Sequence, residues 1–588
     1  MHLISKKQKY ELIPGDEGTE IDPSIQPNLG SHKLLRSVAI IFLVLAPSVL
    51  LIVELLKKEE SEVSAVPIIT ITNDYSDLMS LSNYPWDHIV EPYKETTLNS
   101  GREDNGCHWI ISTNQKVVSE YDGCNDIIHV FDGVSNEYLI ELTYDGGILK
   151  TTAMCKYVRR EIRSLTKGDQ IRYFSALEVI HTLELAEGQA VYGDKFANYE
   201  YFTAKHLDVM RPNDCFPFVG PFHGSNSFLT SHAAFTLDLE LALQSVDPTL
   251  TQPYWDFTID AELGSAWVES ELFGYDFFGP LSQRTLSSAK WFSDLPAPFN
   301  TLGDETSPTK HNSYGKLTND VNRDSSKFVT RGGPEVCGAD VSGTMPTAAD
   351  MAACDQWSSL TSWRSCIETM VHAYIHVQVG GAWDCGGVDL SELADPQRSL
   401  IALNAINIWK IAAESEMLVC PLTCDESSDC SCSCDATKAS GALTAILEFL
   451  YLTVTAWDLY GEVAPILTKN ANGAVSFVGL SDVENDAILD TLLALSCAPG
   501  EMGAMTTDAA ANDPFFWPLH LLYDRAWMLK RLENALEYDW VDNPSECFGG
   551  NPSDVMPFLF DGFQSDMTNE ELYTYFEPTT LPYVYDAF

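Results

Sequence analysis

Six of the thirteen histidines in this chain are spaced as metal ligands: His206, His223 and His232, then His372 and His376 four residues apart, with His520 far downstream. Two three-histidine sets in one chain imply a coupled pair of metal ions. Three imidazoles leave each metal an open position, the mark of a site that does chemistry rather than one that only staples a fold. The other seven, His2, His32, His88, His108, His129, His181 and His311, lack such context and read as surface or structural.

Helices have to present these ligands. Tyr192, Phe196, Tyr199, Phe202 and His206 step by four, three, three and four, which predicts one helical face. Phe228, His232, Phe235, Leu239 and Leu243 continue the pattern, and His372 and His376 stand one turn apart, so their rings point the same way. Asp513 is placed to cap a last helix with Pro514 at its first position, after which Phe516, His520, Tyr523 and Trp527 share a face. The expected fold is mainly α, a four-helix bundle with metal in its core.

Longer motifs surround the ligands. VRREIRSLT (Val158 to Thr166) precedes them, PFHGSNSFLTSH (Pro221 to His232) holds two of them, Glu240 follows eight residues on, and PYWDF (Pro253 to Phe257) comes next. HAYIHVQVGG (His372 to Gly381), NDPFFWPLHLLYDRAW (Asn512 to Trp527) and LPYVYD (Leu581 to Asp586) complete the set. In these motifs the chain resembles the tyrosinase, catechol oxidase and molluscan haemocyanin superfamily over most of residues 156 to 588. The resemblance implies a dinuclear type-3 copper centre with His206, His223, His232, His372, His376 and His520 as metal ligands and two copper ions as cofactor. It also implies that O2 and a phenol or catechol are the substrates, that an o-quinone is the product, and that O2 ends as water. Neutral imidazole suits a copper that cycles between two oxidation states, whereas thiolates would favour Cu(I).

Departures from the family pattern bear on the activity. Ala373 stands where many tyrosinases have an asparagine proposed to help deprotonate a monophenol, which should cost hydroxylation and leave oxidation of catechols as the expected reaction. Thr230, Ser231 and Ala233 replace the usual Pro, Trp and Arg around His232, and Leu519 precedes His520 where a second histidine is common. No cysteine lies two residues before His223, which removes the family's thioether; Cys215 reads as a disulfide half. Thr507, thirteen residues before His520, is a candidate gate. A haemocyanin-like O2 carrier, or a catalytically silent metal-binding relative, is the second reading of the same motifs.

His376 and His520 are 144 positions apart, where the family more often has a few tens, so an insertion is expected at about 386 to 500. Residues 396 to 419 and 440 to 458 read as apolar helices around PLTCDESSDCSCSCD (Pro421 to Asp435). Cys420, Cys424, Cys430, Cys432 and Cys434 could be thiolate ligands for copper or zinc, and disulfides are the preferred reading. Upstream, HWIIST, KVVSEY, DIIHVF and EYLIEL predict a β-rich module over 86 to 155, with Cys107, Cys124 and Cys155 supplying local bridges and one link into the oxidase.

Residues 37 to 56 form an apolar run long enough to span a bilayer, read as a signal anchor. Residues 1 to 36 would then be a cytosolic tail, 57 to 85 a linker, and 156 to 588 the copper domain. All 15 cysteines lie between Cys107 and Cys547, which favours a lumenal or extracellular body. YELI (Tyr10 to Ile13) resembles an endosomal sorting signal, and no N-glycosylation sequon occurs. No C-terminal lid domain is expected after Tyr585. The net charge of −49 argues against nucleic acid as a partner.

Overall fold

The computed structural model describes residues 67–75, 83–104, 106–210, 222–281, 290–292, 295, 309–311, 328–420, 423–425, 432–460, 465–544, 549–556 and 567–586. The tail, the anchor at 37 to 56, the YELI motif, Cys215, Cys430 and Cys547 lie outside them.

Alternating side chains build the first part. β1 (Thr70–Thr72), β3 (Glu95–Asn99) and β6 (Ile127–Val130) form a three-stranded antiparallel sheet. β2 (Ile89–Val90), β8 (Gly147–Cys155), β7 (Glu137–Tyr144), β4 (His108–Thr113) and β5 (Lys116–Asp122) form a five-stranded one in that order. Every second residue turns inward: Trp109 and Ile111 on β4, and Tyr138, Ile140 and Leu142 on β7, share one core. β1 falls within the segment expected as a linker.

Cys107 and Cys124 are bridged, whereas Cys155 is reduced and buried, so the expected link from Cys155 into the helical part is corrected. Ion pairing makes that junction instead. Arg160 holds Glu91 through two bonds of 2.7 and 2.8 Å, and the Tyr75 hydroxyl donates to Asp169 at 2.6 Å.

Past β9 (Tyr157–Arg159), which pairs in parallel with Tyr583–Tyr585, the chain turns helical. α1 (Lys167–Thr182) is capped by Thr166, whose hydroxyl accepts from the Asp169 amide. The single face expected from Tyr192 to His206 is two helices: α2 (Leu185–Tyr192) and α3 (Tyr199–Val209). Gly193, with φ +90°, ends the first, and the Asn198 side chain caps the second by accepting from the Tyr201 amide. α4 (Ser227–Val246) and α5 (Ala373–Gly380) follow, the latter continuing a π-helical turn over Ile367–His372.

The segment expected as an insertion has its own core. The expected 396 to 419 helix is α6 (Gln397–Leu403) and α7 (Ala405–Glu414), broken at Asn404, whose side-chain amide turns back to Leu400 O at 2.8 Å. α8 (Ala439–Tyr460) packs Ile446 and Leu450 against Ile408 of α7 and Leu492 of α9 (Asp482–Ser496). α9 escaped the sequence reading, although Ser481 and Glu484 form the capping box that announces it. Cys420–Cys432 and Cys434–Cys497 are disulfides, so these four sulfurs are not thiolate ligands. Among the described residues α8 is the helix long and apolar enough to cross a membrane, but Glu448 on it is paired with Lys469 at 2.6 Å.

α10 (Phe516–Leu532) closes the core. It begins later than expected: Asp513 is not its cap, because that carboxylate is taken by Arg331 at 2.5 and 2.6 Å while also accepting from the Phe515 amide.

One core group outside the ligand sets gives a pH test. His181 on α1 is buried, stacks on Tyr199 at 5.2 Å, and donates Nδ1–H to Leu177 O. Burial pushes its pKa down from 6.5 to about 4. The unfolded chain therefore takes up this proton first, and stability is lost as pH falls from about 6.5 towards 4. His181→Phe should flatten the slope of urea stability against pH in that window; an unaltered slope would remove His181 as its source.

Candidate metal centre

The fold brings the six histidines together in two triads. The donor atoms of His206, His223 and His232 lie within 4.8 Å of one another, as do those of His372, His376 and His520. α3 carries His206, the turn before α4 carries His223, and α4 itself carries His232. His372 ends the π-helical turn, a local widening of the helix often found at functional sites, and His376 follows on α5. α10 supplies His520. The triads face each other, with the His232 and His520 rings stacked at 4.8 Å.

Backbone carbonyls fix four of the rings. Nδ1–H is donated by His206 to Asp508 O (2.7 Å), by His232 to Phe228 O (2.8 Å), by His376 to Met505 O (2.8 Å) and by His520 to Phe516 O (2.7 Å). Each bond sets the tautomer, leaving a lone pair on Nε2. In the second triad His372 Nε2 lies 3.0 Å from both His376 Nε2 and His520 Nε2. One proton on His372 could bridge to one neighbour but not to both, so this crowd of lone pairs fits a shared cation. In the first triad His232 Nε2 is buried without a hydrogen-bond partner.

Protonation does not compete with such a cation. Burial pushes all six pKa values down, His232 to about 3 and His376 to about 4, and for every one but His206 the neighbouring imidazoles also oppose a positive charge. The six imidazoles are neutral at pH 7 and could bind metal without first losing a proton. Aromatic rings wall the site: Phe228 is 4.7 Å from His232, and Phe516 is 3.8 Å from His520.

A cavity of about 410 Å³ opens onto both triads, touching His206, His223, His372 and His376. Ala373 and Thr507 line it, as do Asn407 and Lys410 of α7 and Phe449 of α8. The insertion is therefore a wall of the site. Two buried ion pairs also border the cavity, Arg364–Glu368 at 2.6 Å and Lys410–Asp508 at 2.9 Å. Glu368 accepts from the Gly224 amide at 2.7 Å, so it braces the His223 turn against the helix that leads to His372. Neither pair is among the residues expected from the sequence. The four-residue spacing from Arg364 to Glu368 to His372 is a local signal that could have found the first. Lys410 and Asp508, 98 residues apart, left none.

Residues 196–397 match the family model described as the common central domain of tyrosinase, a stretch that contains every ligand candidate except His520. That stretch is a tyrosinase-family domain of the type-3 copper class. A tyrosinase of Streptomyces antibioticus is 29% identical over 246 residues, 39% of this chain and 74% of that protein. A tyrosinase of Streptomyces lincolnensis is 36% identical over 91 residues, 15% of this chain and 31% of that one. A third, from Streptomyces glaucescens, is 30% identical over 123 residues, 21% of this chain and 38% of that one. A tyrosinase-family domain implies copper, and the paired imidazole triads have the donor chemistry to take it.

Proposed function

We propose that the two triads each hold one copper ion and that the chain oxidises catechols to o-quinones with O2. The observation that carries this reading is the convergence of imidazole lone pairs at 3.0 Å beside a cavity of about 410 Å³. Such a volume suits an aromatic substrate, whereas an O2 carrier needs no room of that size. Copper, when bound, supplies the redox chemistry: two catechols lose two electrons and two protons each, and one O2 is reduced to two waters.

The chain's own residues do the rest. Carbonyls of Asp508, Phe228, Met505 and Phe516 hold the rings in register. Phe449 offers an apolar face to an aromatic ring, and Ala373 offers a methyl group rather than a hydrogen-bonding side chain. Both cavity carboxylates, Glu368 and Asp508, are already engaged by cations. That arrangement supports catechols, which ionise readily, over monophenols, which need a base. The disulfides and the apolar run at 37 to 56 support a single-pass protein with its body in an oxidising lumen or outside the cell.

Elemental analysis of the copper-loaded protein should give two coppers per chain. O2 uptake should accompany catechol oxidation, with a matched monophenol at least about tenfold slower, a difference of roughly 1.4 kcal/mol in barrier. Two coppers without quinone formation would leave an O2-binding protein. Equal rates on both substrates would overturn the role given to Ala373.

A further inference from the structure

The segment Ala504–Asn512, which follows the insertion, supplies a carbonyl to one histidine of each triad: Met505 O to His376 and Asp508 O to His206. At its Met505 end the segment is pressed onto α5. A Cβ on Gly380 would lie 2.1 Å from Thr506 Oγ1, and Thr506 Oγ1 donates to Gly381 O at 3.2 Å. At its Asp508 end the grip comes from the insertion. Lys410 Nζ reaches both carboxylate oxygens of Asp508, at 2.9 and 3.3 Å, and both side chains are only 4% exposed.

Lys410 is itself held firmly. It sits on α7 between Trp409, whose indole N–H donates to Leu495 O at 2.7 Å, and Ile411, which is buried in the core of the insertion. A displacement of α7 is therefore transmitted to Asp508. The carbonyl of Asp508 sets the rotation of the His206 ring and so the direction of its Nε2 lone pair.

We propose that Lys410 is a positioning residue through which the insertion holds His206, and with it the first triad, in metal-binding geometry. This rests on the reading of the triads as a copper pair. The second triad has no such dependence, because Met505 is placed by the packing of Thr506 on α5. The insertion is thereby more than a wall: it is an outer support of one of the two metal sites.

The test compares wild type, Lys410→Met, Lys410→Arg and the double variant Lys410→Met with Asp508→Asn, all as full-length protein, by copper content during chelator titration and by electron paramagnetic resonance. Loss of an outer support of this kind typically weakens metal binding by about 10- to 100-fold. Lys410→Met should release one copper at correspondingly lower chelator concentration and keep the other. The oxidised, half-loaded protein should then show about one uncoupled Cu(II) spin per chain, because its magnetic partner has gone. Lys410→Arg should restore the second copper. Should Lys410→Met fail to fold, the double variant, which removes the charge from both partners, carries the same expectation. Retention of both coppers with wild-type affinity, or their parallel loss, would overturn the role of Lys410. A wild type that binds fewer than two coppers would instead remove the reading beneath it.

Discussion

Arg159→Met should destabilise the protein by about 3–5 kcal/mol, the usual cost of breaking a buried ion pair from one side. Arg159 is fully buried, and its guanidinium donates to Glu240 at 2.9 Å and to Asp524 at 2.9 Å. Asp524 also accepts from the hydroxyls of Tyr583 (2.9 Å) and Tyr585 (2.5 Å), and the Tyr583 ring lies 3.4 Å from the guanidinium carbon. One side chain thus ties β9, α4, α10 and the strand Tyr583–Tyr585 together. Glu240 lies two turns beyond His232 on α4, and Asp524 one turn beyond His520 on α10. The same bonds therefore set the relative register of one histidine from each triad.

Methionine at 159 would leave two carboxylates in the interior without their cation. Burial already raises Asp524 above the ordinary carboxylate range against the pull of Arg159 and the tyrosine hydroxyls. Without the arginine it would rise further, and a folded-state pKa above the unfolded one means stability that is present at low pH and lost as pH climbs. Urea unfolding should therefore show a smaller deficit at pH 5 than at pH 8. A loss under 1 kcal/mol at pH 8, or a deficit that shrinks as pH rises, would contradict this account. Asp524→Asn, which keeps an acceptor and drops the charge, should fall between variant and wild type.

Much of the site is legible in the chain because its histidines are helical neighbours of apolar residues, and a helix repeats itself locally. His232 among Phe228 and Phe235, and His520 between Phe516 and Tyr523, advertise their own faces. So do the alternating strands of HWIIST and EYLIEL, which the structure places at His108–Thr113 and within Glu137–Tyr144. What escaped the reading depends on distance or on one residue's conformation. The run from Tyr192 to His206 keeps a helical period straight through Gly193, yet a single positive φ there breaks the helix. Asp513 has the type and place of a cap, but a buried guanidinium 182 residues away takes its carboxylate. The carbonyl that orients His206 comes from a residue 302 positions along, and a carbonyl has no sequence signature at all. An oxidising compartment favours bridges in general but names no partner for Cys155, and the folded chain leaves it reduced in the sheet core.

His372→Ala should abolish O2-dependent catechol oxidation and leave the protein with one copper instead of two. His372 is the shared member of its triad, its Nε2 3.0 Å from that of each partner, so its removal leaves two donors that no longer enclose a metal. The stability of the variant tells a ligand from a core histidine. Ligand binding stabilises the folded state by RT ln(1 + [L]/Kd), about 4 kcal/mol per site at a thousandfold excess over Kd. Copper should thus raise the urea midpoint of wild type by two sites' worth and that of His372→Ala by one. In the metal-free proteins the two should lie close together, because loss of the side chain's packing is offset by relief of lone pairs forced against one another. Histidines that merely packed the core would give the opposite pattern: a clear loss of stability in the metal-free variant and no response to copper in either protein. Urea unfolding of the four samples, with and without copper, therefore decides between the two. The comparison holds whatever the preferred substrate proves to be, since it reads the donors and not the turnover.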